Sequence, residues 1–567
     1  MISIVEREPD RQAMAALLAA GVTPALARVL AARGIRSPEQ LDTSLAGLIP
    51  PDRLSNSDEM ARLLADAIAV GKRMLIVGDY DADGATATAV AVRGLRSMGA
   101  DVDFLVPNRF EYGYGLTPEI VALAAGGSPD IIITVDNGIA SVEGVEAANA
   151  LGIQVLITDH HLPGDRMPAA ACVVNPNQHG CGFPSKHLAG VGVIFYVMLA
   201  LRAELRRRGA FVDRAEPNLT ELLDLVALGT VADLVRLDEN NRILVEQGLR
   251  RIRAGRACPG VKALLSVAGC FQHKVTAQDL GFSLGPRLNA AGRLDDMTLG
   301  IACLLADDES VALHMARRLH ELNQERRSIE AGMQEMAGFV LDGIEPTERY
   351  SLSLYHPDWH QGVIGILASR IKERHHRPVI VFAPAGDGLL KGSGRSIRGL
   401  HLRDALDMTA KREPGVILKF GGHAMAAGLS IRECDFDRFA HAFESVVADL
   451  LTPADLDAVI EVDGALGVEE MQLQTAQELQ MQVWGQGFPP PEFFDVFDVE
   501  SQRIVGERHL KLVLRKHGRR YDAICFQQQE LLPSPVALVY ALQSNLYNGV
   551  ESLQLRIRHW QAVARVS

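Results

Sequence analysis

Cysteine is scarce and unpaired in this sequence. The seven residues, Cys172, Cys181, Cys258, Cys270, Cys303, Cys434 and Cys525, contain no C-x-x-C pair. Neither a disulfide framework nor a structural zinc site is expected, and no zinc role is expected of the nearby Cys172, His179 and Cys181. A reducing, cytoplasmic setting fits. Positive charge is also lacking. A net charge of −13 excludes a protein that coats nucleic acid non-specifically. It leaves open an enzyme whose carboxylates hold divalent cations, since the bound metal cancels that charge locally. Any nucleic-acid path is then a local basic stripe on an acidic body. Long apolar runs are missing too. The longest, around Leu188 to Leu201, is shorter than the ~20 residues that span a bilayer and reads as a buried helix. The opening MISIVEREPDRQ has no basic stretch followed by an apolar one, so no secretory leader is expected. Repeats and low-complexity tracts are absent.

What is present is a long chain of 567 residues, beyond the ~250–300 at which one core stops growing, so several domains are expected. Residues 1–50 read as an N-terminal cap of short helices. From 51 to about 310 apolar runs alternate with helical segments: RMLIVGD (73–79), DVDFLVP (101–107), DIIITVD (130–136), QVLITDH (154–160) and ACVVNP (171–176). Continuous apolar strands separated by helices indicate an α/β fold with a parallel sheet covered on both faces. Residues 311–345 read as a long connecting helix. A second α/β block, 346–452, carries the glycine-rich KGSGRSIRG and FGGHAMAAG. The tail, 453–567, shows alternating strand patterns and reads as a small β-barrel.

Acids fall at the strand ends. VGDYDADG places Asp79, Asp81 and Asp83 after one strand, TVDNG places Asp136 after another, and TDHH places Asp159, His160 and His161 after a third. A parallel sheet brings its strand ends to one edge, where such folds bind ligands. Crowded carboxylates repel one another unless cations sit among them. Oxygen donors with one or two imidazoles suit Mn²⁺ or Mg²⁺. The spacing supports two ions, with Asp81 and Asp83 facing separate metals and Asp136 able to bridge. Two ions ~3.5–4 Å apart stabilise both the attacking and leaving oxygens of a phosphoryl displacement. Any single Asp here could be a cap or turn residue; three coincident strand ends make that reading poor. The loop lacks G-x-G-x-x-G and G-K-[ST], so it does not read as a nucleotide-binding loop.

DYDADGATA, VDNG, TDHH and LGTVADLVRL resemble the four motifs of the DHH phosphoesterases, and GSGRS and GGHAMAAG resemble the companion DHHA1 substrate-binding domain. Motif order, spacing and length are similar to the branch that degrades single-stranded DNA from its 5′ end in recombination and repair, including a C-terminal OB-like barrel. The resemblance implies one ion on Asp81 and Asp136, helped by Asp79, and another on Asp83, Asp136, His160 and Asp233. Asp233 is singled out by the resemblance alone. It further implies that Asp159 orients His160 or His161, and that His161 contacts the scissile phosphate or assists proton transfer.

For the substrate path, the resemblance implies that Arg109, Ser393 and Arg395 grip a 5′ phosphate. Arginine forks match phosphate oxygens, and glycine neighbours admit backbone N–H groups. Tyr112 and Tyr114 suit base stacking. Arg287, Asn289 and Arg293, in what looks like a turn before a helix, would line the DNA channel. Gly421, Gly422 and His423 would let backbone approach the strand. The basic tail from Arg508 to Arg520, with Tyr521, suits a single-strand groove or is simply a solvated hairpin. The implied partners are a single-strand-binding protein and a helicase, with the chain a monomer and no membrane contact. A relative acting on short RNA, cyclic dinucleotides or pyrophosphate is the main alternative, and the added barrel, cap and helix argue against it. A non-catalytic DNA-binding scaffold would require lost ligands, whereas Asp81, Asp83, Asp136 and His160 are present.

Overall fold

The computed structural model of the chain describes residues 2–107, 112, 115–341, 345–547 and 549–563. The chain forms two compact units, Glu6–His320 with Glu461–Ser567, and residues up to Val5 with Glu321–Ile460.

The first unit is built on five strands: β1 (Arg73–Gly78), β2 (Asp101–Leu105), β3 (Ile131–Val135), β4 (Gln154–Thr158) and β5 (Cys172–Val174). Their order is β2-β1-β3-β4-β5, and every neighbouring pair is parallel. Ile132, Val155 and Leu156 are fully buried, as a sheet covered on both faces requires. The strand order reverses between β1 and β3. A crevice therefore opens beyond their carboxyl ends, the place where open α/β sheets take ligands. Helices α1 (Ala82–Ser97), α2 (Gly190–Arg207) and α3 (Leu223–Ala232) pack together behind that edge. Helix α4 (Gly285–Leu294) follows a single π-turn, Leu280–Leu284. The segment GPRLNAAGRLDD is thus mostly helix, where the sequence suggested a turn before one. A helix that opens on Gly285-Pro286 and carries a second glycine, Gly292, has a weak local signal.

The same unit holds a closed barrel of five strands, Phe493–Val505, His509–Lys516, Arg519–Cys525, Val536–Tyr547 and Val550–Ala562. Its one parallel pairing joins Asp522–Cys525 to Gln554–Ile557 and closes the sheet. The barrel is tied to the rest of the unit by Lys274 pairing with Glu551 at 3.0 Å, and the segment leading into it by the Leu237 N–H donating to the Gln486 carbonyl at 2.8 Å. Arg33 from the N-terminal segment donates to Asp463 at 2.7 and 3.0 Å, both side chains being almost fully buried.

Helix α5 (Glu309–Leu341) is 33 residues long and leads into the second unit. There a mixed sheet runs in the order Lys419–Gly422, Ala426–Arg432, Leu389–Arg395, Val379–Pro384, Leu352–Tyr355. Helix α6 (Ile364–His375) connects the parallel last pair. Phe382, Phe439 and Phe443 fill the core on one face.

One expectation fails near the start. Residues 1–50 include the strand Ile2–Glu6, paired with Ala458–Val462, besides helices Arg11–Ala19 and Pro24–Ala31. Its partner lies more than 450 residues away, so no local pattern could disclose it.

Candidate metal centre

The first acidic motif folds as a strand-to-helix turn. Asp79 leaves β1 and accepts from the Tyr80 N–H at 2.8 Å. Asp81 caps α1 by accepting from the Gly84 N–H at 3.0 Å. Asp83, in the first turn of α1, reaches across to α2, where the Gly190 and Val191 N–H groups donate to its two oxygens at 2.6 and 2.9 Å. The positive end of a second helix therefore faces this carboxylate.

Asp136 ends β3 with φ of 62°, a left-handed conformation uncommon outside glycine. The next residue holds it there: the Asn137 amide donates to the Val77 and Val135 carbonyls at 3.1 and 2.9 Å. Gly138, also left-handed, is required, because a Cβ there would stand 2.5 Å from Thr134 Oγ1. Asp159 ends β4. It accepts from the Ile139 N–H at 2.9 Å, the His160 N–H at 2.7 Å and His161 Nδ1 at 2.7 Å. Of the two histidines, Asp159 orients His161. His160 turns instead to the acids, its Nε2 lying 3.1 Å from Asp136 Oδ1 and 3.5 Å from Asp233 Oδ2. Asp233 is the residue that closes the end of α3.

Three overlapping groups result: Asp79, Asp81 and Asp136; Asp83, His160 and Asp233; and Asp136, His160 and His161. Within each group the donor atoms lie within 4.8 Å of one another. All eight acids and histidines expected at the site are thus placed around one sheet edge. Burial, and then the Asp81 charge, push the Asp83 carboxyl up to about 7. Burial and the charges of Asp83 and Asp81 push Asp136 and Asp233 well above the usual carboxylate range. Burial opposes charging of His161, but its bond to Asp159 prevails and raises the imidazole to about 9. Buried carboxylates stacked this closely are unfavourable alone and suited to hard cations. The donor set, oxygens with one or two imidazoles, fits Mn²⁺ or Mg²⁺ and not a thiolate-loving metal.

Two residues unmarked by the sequence shape the site. A Cβ on Gly190 would stand 2.5 Å from Asp136 Cβ and Oδ1. A Cβ on Gly229 would stand 2.9 Å from Asp83 Oδ1 and 2.1 Å from Thr86 Oγ1. Both glycines let a helix come close to the acids. The only available signal was glycine inside an apolar helical run, which marks close approach without saying to what.

Helix α4 packs against the strand-to-helix turn that carries the first acids. Asn289 accepts from the Ala82 N–H at 2.8 Å, and Gly292 sits against the Tyr80 carbonyl, where a Cβ would be 1.9 Å away. Both brace the metal loop. Arg287 is buried and bonded to His320 Nδ1 and the Ser283 carbonyl. It joins α4 to α5. Arg293 is half-buried in the last turn of α4.

In the second unit Ser393 and Arg395 share a strand with register Ser393↔Gly428 and Arg395↔Ala426, which sets GSGRS beside GGHAMAAG. Arg395 donates to Ser393 Oγ at 3.1 Å and the Gly394 carbonyl at 2.8 Å. No acid pairs with it among the described residues, and burial alone lowers its pKa. His423 is exposed in the turn, its N–H donating to the Ala426 carbonyl at 2.8 Å. Arg109 and Tyr114 lie outside the described residues. On the barrel, Arg519 and Arg520 pair with Glu469 and Glu500, while Lys516 and Tyr521 are turned inward. A mostly neutralised hairpin describes this face better than a basic groove.

A parallel sheet with acids at its switch point and a DHH triplet at the end of the next strand defines a class, the DHH phosphoesterases. The DHH family N-terminal domain matches residues 73–230, the DHHA1 domain 349–449 and the RecJ OB domain 462–559. The chain is 54% identical over 548 residues to the single-stranded-DNA-specific exonuclease RecJ of Dickeya dadantii, covering 94% of this chain and 95% of that protein. It is 52% identical over 570 residues to that of Escherichia coli K12, covering 98% of each. The crystal structure of Thermus thermophilus RecJ in complex with Mn²⁺ superposes with a TM-score of 0.83 at 31% identity, covering 99% of this chain and 79% of that one. A second crystal structure from that organism holds Mg²⁺. The chain belongs to the RecJ family.

Proposed function

We propose that this chain is a metal-dependent exonuclease that hydrolyses phosphodiester bonds of single-stranded DNA in the 5′→3′ direction, in recombination and repair. The observation that carries the reading is the convergence of Asp79, Asp81, Asp83, Asp136, His160 and Asp233 from four chain segments on one edge. Asp79, Asp81 and Asp136 would hold one divalent ion, and Asp83, His160 and Asp233, with Asp136 between the groups, a second. When bound, such ions supply the positive charge that attack on a phosphodiester needs. The protein's own part is orientation. Asp159 fixes His161 by its Nδ1, which orients the ring for contact with the scissile phosphate or for proton transfer. Arg395 and Ser393 hold the 5′ phosphate, a role supported by a half-buried guanidinium with no acid pairing with it among the described residues. Their strand neighbours in GGHAMAAG, including His423, let backbone approach the strand. The barrel in the metal-bearing unit favours a polymer over a dinucleotide as substrate.

The resemblance also supports a single-strand-binding protein and a helicase as partners of a cytoplasmic monomer. Among the described residues no helix is long and apolar enough to cross a membrane.

The test is product analysis with Mn²⁺ on single strands labelled at either end. Stepwise loss of a 5′ label from single strands and not from duplex is expected. Arg395→Ala should erase the preference for a 5′-phosphorylated end. Release from the 3′ end, or equal rates on a dinucleotide, would overturn the reading.

A further inference from the structure

Three irregularities meet around Asp233. Leu234, the next residue, has φ of 61° and is 64% exposed, so an apolar side chain is held outward in a strained left-handed backbone. The second irregularity is the π-turn Leu280–Leu284, a form that recurs at functional sites. The third is Phe282 within it, 72% exposed while Leu280 and Leu284 are fully buried. The turn is pinned to the ligand-bearing end of α3. A Cβ on Gly281 would meet Val231 Cγ1 at 3.1 Å, and one on Gly285 would meet Ala232 Cβ at 3.2 Å. The Ser283 carbonyl is held by Arg287. Leu280 and Leu284 are buried and Gly281 and Ser283 half-buried, so Phe282 is the most exposed side chain of the turn, close to the two residues that precede Asp233.

We propose that Phe282 and Leu234 form an apolar platform on which a base of single-stranded DNA rests next to the scissile phosphate. This rests on the exonuclease reading above and adds what holds the strand there. A base offers every sequence a π-face, so such a platform grips DNA without selecting sequence. It also suits single strands, because a paired and stacked base cannot be laid on a side chain. Leu234 follows Asp233 directly and the π-turn packs on the two residues before it, so both exposed side chains flank an acid of the metal centre, and a strand drawn to that centre is the occupant we argue for.

Phe282→Ala and Leu234→Gly test this. Both side chains are exposed, and glycine relieves the backbone at 234, so folding is retained. With the full-length protein and Mn²⁺, each variant should raise KM for a long single strand about tenfold (~1.4 kcal/mol) with kcat nearly unchanged. Phe282→Trp should restore it. An oligonucleotide carrying 2-aminopurine near its 5′ end should be quenched on binding by the wild type and by Phe282→Trp, and not by Phe282→Ala. The Mn²⁺-dependent rise in melting temperature should match in all variants. Unchanged KM and quenching in Phe282→Ala would overturn the proposal. So would a lost Mn²⁺ response, which would make Phe282 a support of Asp233. A wild type that does not cleave single strands in this assay would instead sink the exonuclease reading.

Discussion

Gly190→Ala is the most economical probe of the metal centre, because it adds one methyl and touches no proposed ligand chemically. The methyl would stand 2.5 Å from Asp136 Cβ and Oδ1 and 2.7 Å from Cγ. Carbon contacts settle at about 3.5–4.0 Å, so roughly 1 Å must be found. Helix α2 cannot retreat freely, since its Gly190 and Val191 N–H groups are bonded to Asp83. Asp136 cannot move its backbone, which is bonded through its N–H to the Thr158 carbonyl at 3.0 Å. The carboxylate itself must swing. A displacement of about 1 Å in a reacting group costs on the order of 10²-fold in rate, or about 2.7 kcal/mol of barrier. Overpacking should also destabilise the protein by about 1–3 kcal/mol. The assay pairs kcat on single-stranded DNA with calorimetric Mn²⁺ titration, and both should fall. Gly338→Ala is the control, because nothing lies within 4 Å of a Cβ there and the position is helical. It should be neutral or slightly stabilising. A Gly190→Ala protein with kcat within threefold of wild type and an unchanged Mn²⁺ midpoint would refute the placement of Asp136 as a ligand.

Three other outcomes are expected. Asp136→Ala should abolish cleavage while single-strand binding, read by anisotropy, stays within a few-fold of wild type. Chelation should lower the melting temperature, increasingly so as pH rises. Asp83 has a folded pKa near 7 against an ordinary 3.8, and Asp136 and Asp233 are raised too. The metal-free fold thus binds protons more tightly than the unfolded chain, and this contribution is full below pH ~4 and lost as pH climbs through 7. Protons and Mn²⁺ compete for the same oxygens, so the gap between loaded and chelated melts should be larger at pH 8 than at pH 5; an equal gap would count against the cluster. Arg33→Ala should cost about 3–5 kcal/mol in denaturant melts, because it leaves Asp463, 2% exposed, short of its main cation.

The site was legible where chemistry coincides with a backbone rule. Strands that are apolar throughout announce a parallel sheet, a parallel sheet gathers its carboxyl ends, and acids at three such ends are unfavourable unless something cationic joins them. Asp79, Asp81, Asp83, Asp136, Asp159, His160 and His161 needed no more than that. Asp233 closes a helix with no acidic neighbours in sequence, and its membership depends on how α3 crosses α1, a tertiary fact. The same limit hid Gly190 and Gly229, whose role is the space they leave. Nor does sequence give the bonds of Arg287 and Asn289: in the fold the first is bonded to His320 and the second accepts from the Ala82 N–H. Polar residues therefore serve two ends in this fold. Those at strand termini gather at one sheet edge, while on α4 Asn289 accepts from the Ala82 N–H and Arg287 is bonded to His320 of α5. Residue type alone does not separate the two. What separates them is what surrounds them: Asn289 accepts from a backbone N–H and Arg287 is bonded to His320, whereas Asp79, Asp81, Asp83, Asp136 and Asp233 crowd together even where some accept backbone N–H groups, and five such carboxylates call for positive charge from outside the chain.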